Sequence, residues 1–239
     1  MAAAWEEPSM RKLIGLLFLT ATRTATSANA QGIFIDRGDP NAVSASAGGR
    51  YLVDSSFGGS VAMGFSYRGV FDMGAELTYL KYNAGDFKKL GGIAVAPYIT
   101  WHIMRGEEEE LPVSFAWTLI VMREFFTGNS PVANPEGWGV FTGPSVYRKF
   151  ELGQSTVFIP EVLLGYDGKA TRKYSGSLDQ TMGSSDQSTG YSSSLKHSGR
   201  ALLRLNLLFK TASKTRYTVT PYVGYQAGVT AGATVGALF

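Results

Sequence analysis

The sequence predicts an all-β protein that closes into an antiparallel, up-and-down transmembrane β-barrel of about ten strands. The first reason is that bulky apolar and small residues alternate with a period of two through most of the chain. The second is that short and long connections between these segments alternate along the chain. The third is composition, since 29 glycines and 13% aromatic residues suit sheets with tight turns. Eight and twelve strands are the alternatives.

Each predicted strand has one bulky apolar face and one small or polar face. In FDMGAELTY, for example, Phe71, Met73 and Tyr79 lie on the first face, and Asp72 and Glu76 on the second. The segment GIFID, residues 32–36, is a further candidate strand. The expected strands are 42–53, 57–69, 70–83, 90–105, 111–126, 137–152, 155–170, 197–213, 215–227 and 229–239.

The first thirty residues have the pattern of a secretory signal peptide. Arg11 and Lys12 precede the apolar run LIGLLFLTAT, and SANA supplies the small residues Ala28 and Ala30 before the expected cleavage. An apolar run of ten residues is too short to cross a bilayer as a helix. We expect Met10 to be the true initiator, residues 31–41 to form a periplasmic lead-in, and residues 42–239 to form the barrel.

The faces of the strands favour a membrane barrel over a soluble one. The bulky face, which includes Trp101, Trp117 and Leu205, holds more volume than a ten-stranded lumen can enclose. We therefore expect this face to point toward lipid and the small polar face to fill the lumen. The long connections all fall at one end of such a sheet, as in outer-membrane barrels, whose outer loops are longer than their periplasmic turns.

These features resemble the small bacterial outer-membrane β-barrel proteins of the transmembrane-barrel and opacity types. The likeness rests on the signal peptide, the alternating strands, the segments APYITWHI and TPYVGYQAG, and the terminal aromatic residue. It implies a monomer in the bacterial outer membrane with a structural or surface-interaction role. It also implies that the last strand is read by the barrel assembly machinery, through Val229, Ala233, Val235, Ala237 and Phe239.

The few charged residues that alternate onto the inward face are expected to form a network inside the lumen. We expect Glu76 and Glu161 to pair with Arg204 or Arg68, since isolated buried charges are costly. This network favours a plugged lumen, and a narrow passive pore for small solutes is the alternative. The full set is Arg68, Asp72, Glu76, Glu161, Arg200 and Arg204, with Lys210 on the same face.

Basic residues near the outer end are expected to face lipopolysaccharide and outer-membrane lipid, whose phosphates they would neutralise. They are Lys88, Lys89, Lys169, Arg172, Lys173 and Lys196.

The acidic run 107–110 falls on a periplasmic turn, where a solvated cluster is expected. The longest loop, near 169–197, is rich in Ser, Gly, Asp, Gln and Thr, and we expect it to be mobile and to contact the surroundings.

An enzymatic function is not expected, although a lipid-modifying hydrolase is a second alternative. His102 is expected to point inward, and His197 lies next to Ser198, so a Ser–His pair would form only if the chain bends there. The chain has no cysteine, which excludes disulfides and thiolate metal sites, and no metal or cofactor is expected. A net charge of +3 is too small to indicate nucleic-acid binding.

Overall fold

A computed structural model describes residues 34, 41–52, 56–81, 91–106, 111–127, 133–175, 190–212, 215–225 and 228–239. Apart from short connections and Phe34, this part of the chain is β-strand. No helix in this part of the chain is long and apolar enough to cross a membrane. The strands are β1 (Ala42–Leu52), β2 (Phe57–Tyr67), β3 (Phe71–Lys81), β4 (Gly91–Met104), β5 (Ser114–Thr127), β6 (Ala133–Tyr147), β7 (Phe150–Glu151), β8 (Thr156–Ser175), β9 (Gly190–Lys210), β10 (Arg216–Tyr225) and β11 (Val229–Leu238).

The strands form one closed antiparallel barrel. Neighbours along the chain pair with each other except β6 and β7, β1 pairs with β11, and β6 closes the ring against β8. The two-residue β7 also pairs with β8 and continues the line of β6, so the wall has ten strands within the described residues. Closure leaves no long sheet edge unpaired. The predicted ten-stranded antiparallel barrel is confirmed.

The barrel has two different ends. At the turn end lie the start of β1, the end of β11 and the connections that follow β2, β4, β7 and β9, including Arg68–Val70 and the segment after Glu151. At the loop end lie the ends of β1, β3, β5, β8 and β10, after each of which the description of the chain breaks off, at residues 53–55, 82–90, 128–132, 176–189 and 226–227. Alternate connections between antiparallel strands lie at opposite ends, and the described strands follow that order.

The prediction of one long loop over 169–197 is wrong at both of its ends. Strands β8 and β9 continue as a paired ribbon, from Lys169 opposite Lys196 to Ser175 opposite Gly190. The apolar alternation of the sequence stops there, but backbone pairing needs no apolar face and tolerates Ser, Thr and Tyr. Residues 176–189 lie outside the described residues.

The bulky face points outward, as predicted. Trp101, Trp117 and Leu205 are 48%, 44% and 39% exposed, whereas the inward-pointing Ala96 and His102 are fully buried. Along β3 every outward residue is exposed, while Asp72, Glu76, Thr78 and Leu80 point inward and are buried. The alternation read from the sequence is therefore the alternation between the outside and the lumen.

Two inward tyrosines fit inside the narrow barrel because each lies over a glycine of the neighbouring strand. Tyr98 is opposite Gly74, and Tyr222 is opposite Gly232. A methyl group added at Gly74 would lie 2.6 Å from the Tyr98 hydroxyl, and one added at Gly232 would lie 2.5 Å from the Tyr222 hydroxyl. The missing side chain at each glycine makes the room for the ring.

The lumen is not filled by polar side chains alone, which corrects that part of the predicted plug. Two apolar clusters also occupy the lumen. They form because several positions on the inward face, which was expected to carry small and polar residues, carry large apolar ones. The loop-end cluster contains Ala94, Ala96, Tyr98, Ile120, Met122, Phe141, Leu163, Leu202 and Tyr222. The turn-end cluster contains Phe34, Ala116, Tyr147, Val157, Ile159, Leu208 and Leu238.

Arg68 does not point into the lumen, contrary to the prediction. Strand β2 ends at Tyr67, and Arg68 and Gly69 have positive φ angles of 48° and 61° in a tight turn closed by the bond from Val70 N–H to the Tyr67 carbonyl, 2.9 Å long. The strand therefore ends two residues before the predicted end at residue 69, and the Arg68 side chain is exposed beside the Tyr67 ring.

Candidate functional site

The outer surface of the barrel carries an apolar belt between two rings of aromatic residues. The ring at the loop end contains Tyr51, Phe57, Tyr79, Phe125, Trp138, Tyr166 and Tyr225, each exposed by 42% or more. The ring at the turn end contains Tyr67, Phe71, Trp101, Trp117, Phe150, Phe209, Tyr217 and Phe239. We call these two rings the girdles. The surface between them carries exposed Val, Leu, Ile and Met, including Val61, Met63, Met73, Leu77, Ile99, Leu119, Leu164, Leu203 and Leu205.

The height of the belt follows from the spacing of girdle residues along one strand. Phe71 and Tyr79 on β3 are eight residues apart, which is about 26 Å along a strand and about 20 Å along the axis of a barrel whose strands tilt by ~40°. Phe57 and Tyr67 on β2 are ten residues apart, which gives about 25 Å. Aromatic girdles around an apolar band about 25 Å tall are the outer surface of known membrane barrels.

Guanidinium groups sit against aromatic rings at both girdles. Arg123 lies 4.5 Å from the centre of the Trp138 ring and 5.4 Å from that of Phe125, at the loop end. Arg148 lies 5.3 Å from the centre of the Phe150 ring, at the turn end. Amphipathic side chains of this kind place their apolar stems against the belt and their charges at its polar border.

The polar interior near the turn end centres on a buried histidine. His102 Nε2 lies 2.9 Å from Asp72 Oδ2, and His102 Nδ1 lies 2.9 Å from the Tyr147 hydroxyl. All three residues are buried. The chain of contacts links β3, β4 and β6 across the lumen and uses both ring nitrogens of the histidine.

A second network surrounds Glu161 in the middle of the lumen. Arg204 Nη1 donates to Glu161 Oε2 at 3.3 Å, and both residues are at most 2% exposed. Asn206 donates to the Ile159 carbonyl at 2.9 Å and accepts from Thr220 at 3.0 Å, beside the same carboxylate. The structure therefore brings together Glu161 and Arg204 of the predicted lumen set.

Glu76 belongs to a different part of the wall from that pair. It is 1% exposed and accepts a hydrogen bond from Thr78 at 3.1 Å. No ion pair joins it to Arg204 or Arg68 among the described contacts. Lys210, also expected to point inward, lies at the turn-end rim, where it is 39% exposed and 3.8 Å from Glu151.

Two more ion pairs lie near the loop end. Arg200 pairs with Asp167, with an Nη2–Oδ1 distance of 3.0 Å, and its guanidinium lies 4.5 Å from the centre of the Phe141 ring. Lys169 pairs with Glu124. Lys169 was expected to face lipopolysaccharide, but its side chain points into the lumen because it shares the inward parity of Glu161 and Asp167 on β8. That prediction is wrong.

The other basic residues predicted at the outer end are described only in part. Lys196 is exposed at the loop end of β9. Arg172 and Lys173 lie on the β8 ribbon, but their side chains are outside the described part of the structure, as are Lys88 and Lys89. The acidic run 107–110 is also outside it.

The predicted lumen set lacks four charged residues that are buried in the described part of the chain. They are Arg50, Arg105, Glu124 and Asp167. For Glu124 and Asp167 a signal was present, because each continues the inward alternation of a predicted strand. Arg105 had no such signal. A register shift between His102 and Met104 turns the following residue inward, and Arg105 donates to the Gly69 carbonyl.

The last strand is built into the wall over its whole length. Strand β11 pairs with β1 on one side and β10 on the other, and Phe239 exchanges two backbone bonds with Val43, of 2.9 and 3.2 Å. The Phe239 side chain is 65% exposed, in the turn-end girdle. Val229, Ala233 and Val235 point outward with it, and Ala237 is partly exposed on the same face.

His197 and Ser198 lie on opposite faces of β9. His197 faces outward, where it stacks on Tyr166 with ring centres 5.5 Å apart and forms a hydrogen bond with that hydroxyl, and Ser198 lies opposite the inward Asp167. The strand is regular here, so the two side chains do not form a Ser–His pair. No group of three or more acidic or histidine side chains able to hold a metal occurs in the described ranges.

A cavity of about 260 Å³ opens at the turn end. Its floor is formed by Val157, Ile159 and Leu208, and Lys149, Glu151, Lys210 and Arg216 stand around its mouth. Phe34 lines one side of it, 4% exposed, and Arg216 Nη1 donates to the Phe34 carbonyl at 3.0 Å. The lead-in thus contributes one side chain to the closure of this end.

No family model matches the chain, and no curated protein matches it. Among solved structures, the beta domain of the Bordetella autotransporter BrkA is 11% identical with a TM-score of 0.46, over 84% of this chain and 99% of that one. LpxR from Salmonella typhimurium is 8% identical with a TM-score of 0.42, over 82% and 99%. The N-terminal β-barrel domain of Pseudomonas aeruginosa OprF is 13% identical with a TM-score of 0.32, over 84% and 98%. At these identities no activity transfers to this chain.

Proposed function

We propose that the chain is an integral barrel of the bacterial outer membrane with a closed lumen and a structural or surface-interaction role. The observation that carries the proposal is the apolar belt between the two girdles. A water-soluble monomer rarely exposes an apolar patch larger than a few hundred Å², whereas this belt encircles the barrel. Residues 1–30 would direct export and be removed.

Placing the belt in lipid is consistent with the position of the charges. Charged groups inside a bilayer are tolerated when they face the interior of the protein and are paired. Here Asp72, Glu161, Asp167 and Glu124 all point into the lumen and contact a histidine, an arginine or a lysine. Between the girdles the outward positions of the described strands are predominantly apolar or small.

Insertion in lipid is tested by refolding the mature chain into phospholipid vesicles. Unheated and boiled samples are compared by gel electrophoresis, and protease is added to the intact vesicles. We expect the unheated protein to migrate differently from the boiled protein and the strands to resist protease. A chain that stays in the aqueous phase and is cleaved throughout would refute membrane insertion.

The two apolar clusters support a closed lumen over the passive pore. The loop-end cluster draws residues from β4, β5, β6, β8, β9 and β10 and includes the rings of Tyr98, Phe141 and Tyr222. Residues from opposite sides of the barrel that pack together leave no continuous path for water and ions between them. The turn-end cluster, with Phe34, adds a second layer.

Planar-bilayer recording separates the two functions. We expect no steady conductance from the wild-type barrel, and none from Glu76→Gln, which changes one lumen charge and leaves both apolar clusters intact. The double substitution Tyr98→Ala with Phe141→Ala removes two rings from the loop-end cluster, and we expect it to raise the frequency of channel events. Steady conductance in the wild type that Glu76→Gln alters would show that the pore is the correct function.

The partners we propose are outer-membrane lipid, lipopolysaccharide and, during biogenesis, the barrel assembly machinery. Support for a lipopolysaccharide contact comes from exposed Lys196 and from the loop-end positions of Arg172 and Lys173. Support for an assembly signal comes from Phe239, which ends an outward apolar row on the closing strand. Deleting Phe239 should slow assembly in cells more than it lowers the stability of the refolded barrel. Equal effects on both would contradict a signal role.

A further inference from the structure

One buried arginine of the described strands has two nitrogen atoms without a hydrogen bond and no ion pair within the described ranges. Arg50, on β1, is 6% exposed, and its Nε and Nη1 atoms make no hydrogen bond within the described part of the chain. Each neighbouring inward cation near the loop end has a carboxylate: Arg200 has Asp167, Arg204 has Glu161 and Lys169 has Glu124. No ion pair joins Arg50 to any acidic residue of the described ranges.

The Arg50 guanidinium carries a positive charge and five N–H donors. An isolated buried charge is far too costly to persist without compensation. Two other buried guanidiniums, Arg200 and Arg204, lie in the same lumen and are already paired with carboxylates. The region around Arg50 is therefore rich in positive charge and in unused hydrogen-bond donors.

The register of the barrel shows what surrounds it. Arg50 lies opposite Gly232, Gly232 lies opposite Tyr222, and Tyr222 lies opposite Arg204. The Tyr222 hydroxyl lies over Gly232 and so on the side of Tyr222 that faces Arg50. Arg204 adds two further nitrogens, Nε and Nη2, that are buried without a partner. The row thus holds two guanidiniums with unused donors, separated by a glycine and a hydroxyl.

We propose that Arg50 binds a small inorganic anion, such as chloride, in the loop-end half of the lumen. The anion would accept hydrogen bonds from the guanidinium and supply the negative charge that the neighbouring carboxylates, each engaged elsewhere, do not. A small ion is indicated because the wall is tightly packed on the other side of Arg50, where a methyl group on Gly58 would lie 2.6 Å from Leu80. Leu52 is the one inward residue of β1 between Arg50 and the loop end, so the ion would enter from that side.

The test uses bromide as the probe, on the complete refolded barrel in detergent. Unfolding is measured in sodium bromide and in sodium gluconate at the same ionic strength, which holds charge screening constant. At bromide ten times above its dissociation constant, binding to the folded state alone raises the ratio of folded to unfolded protein about 11-fold. We expect this rise in the wild type and its loss in Arg50→Gln.

Lys81→Gln is the matched control, since Lys81 is exposed on the outside of β3 and its loss changes the net charge equally. It should keep the full response to bromide. An equal response in Arg50→Gln and the wild type would overturn the proposal, and so would no response in the wild type. If Arg50→Gln does not fold, anomalous diffraction from wild-type crystals grown in bromide decides the matter. A bromine peak within about 3.5 Å of the Arg50 guanidinium supports the site, and its absence there refutes it.

Discussion

The pair formed by Glu161 and Arg204 should be strongly coupled, because it is buried and each partner compensates the other. The two residues are 1% and 2% exposed and lie 3.3 Å apart. Removing one partner of such a pair leaves an uncompensated buried charge and typically costs about 3–5 kcal/mol. We therefore expect Glu161→Leu and Arg204→Met each to lower the free energy of unfolding by about that amount.

The double substitution should restore most of the loss. Two apolar side chains of similar volume remove both charges together, and such replacements are often neutral or stabilising. Leu163 and Leu202 of the loop-end cluster lie one inward position away on the same two strands, so apolar side chains have apolar neighbours there. Asn206 would keep its bonds to Ile159 and Thr220.

The measurement is urea unfolding in phospholipid vesicles, followed by tryptophan fluorescence. Trp101, Trp117 and Trp138 all face outward and would leave lipid on unfolding, so their emission reports the transition. The exposed pair of Lys210 and Glu151, 3.8 Å apart, is the control, and its coupling should not exceed about 1 kcal/mol. Single substitutions at Glu161 and Arg204 that cost less than about 1 kcal/mol and add in the double variant would refute the reasoning.

Three further substitutions test the packing, the histidine network and the belt by the same unfolding measurement. Gly232→Ala should cost about 1–3 kcal/mol because the new methyl would lie 2.5 Å from the Gly49 carbonyl, whereas Gly199→Ala, with no atom within 4 Å, should be neutral or slightly stabilising. Tyr147→Phe should cost about 1–3 kcal/mol, since His102 Nδ1 would be buried without its partner. Leu205→Arg should cost about 2–4 kcal/mol in vesicles if the belt spans lipid, and an unchanged stability there would contradict the proposed orientation.

The wall of the barrel could be predicted from the sequence because its determinants are local. Alternation tells which face of a strand each residue occupies, and the volume of the bulky face assigns Trp101, Trp117 and Leu205 to the outside, where they lie. The limits of that rule are also local. It fails at the turn, where Arg68 takes a positive φ, and after the register shift that turns Arg105 inward.

The contents of the lumen were harder to predict because they depend on which inward residues meet, and alternation does not contain that information. Neighbours across a strand pair follow from the register, while contacts across the lumen depend on the stagger of the whole ring. Lys169 shows the difference. Its inward parity was readable, but its partner Glu124 lies on β5, two strands away through β6.

Arg50 shows what this means for function. Its inward position follows from alternation on β1, but its lack of an ion pair with the described carboxylates depends on where the acidic residues of β3, β5 and β8 lie around the ring. Asp167, Glu161 and Glu124 are each matched with a cation on a nearby strand, which leaves the β1 side of the wall with an unmatched positive charge. The proposed anion site therefore depends on how the charges of several strands are distributed around the lumen. The unfolding response to bromide tests that distribution together with Arg50.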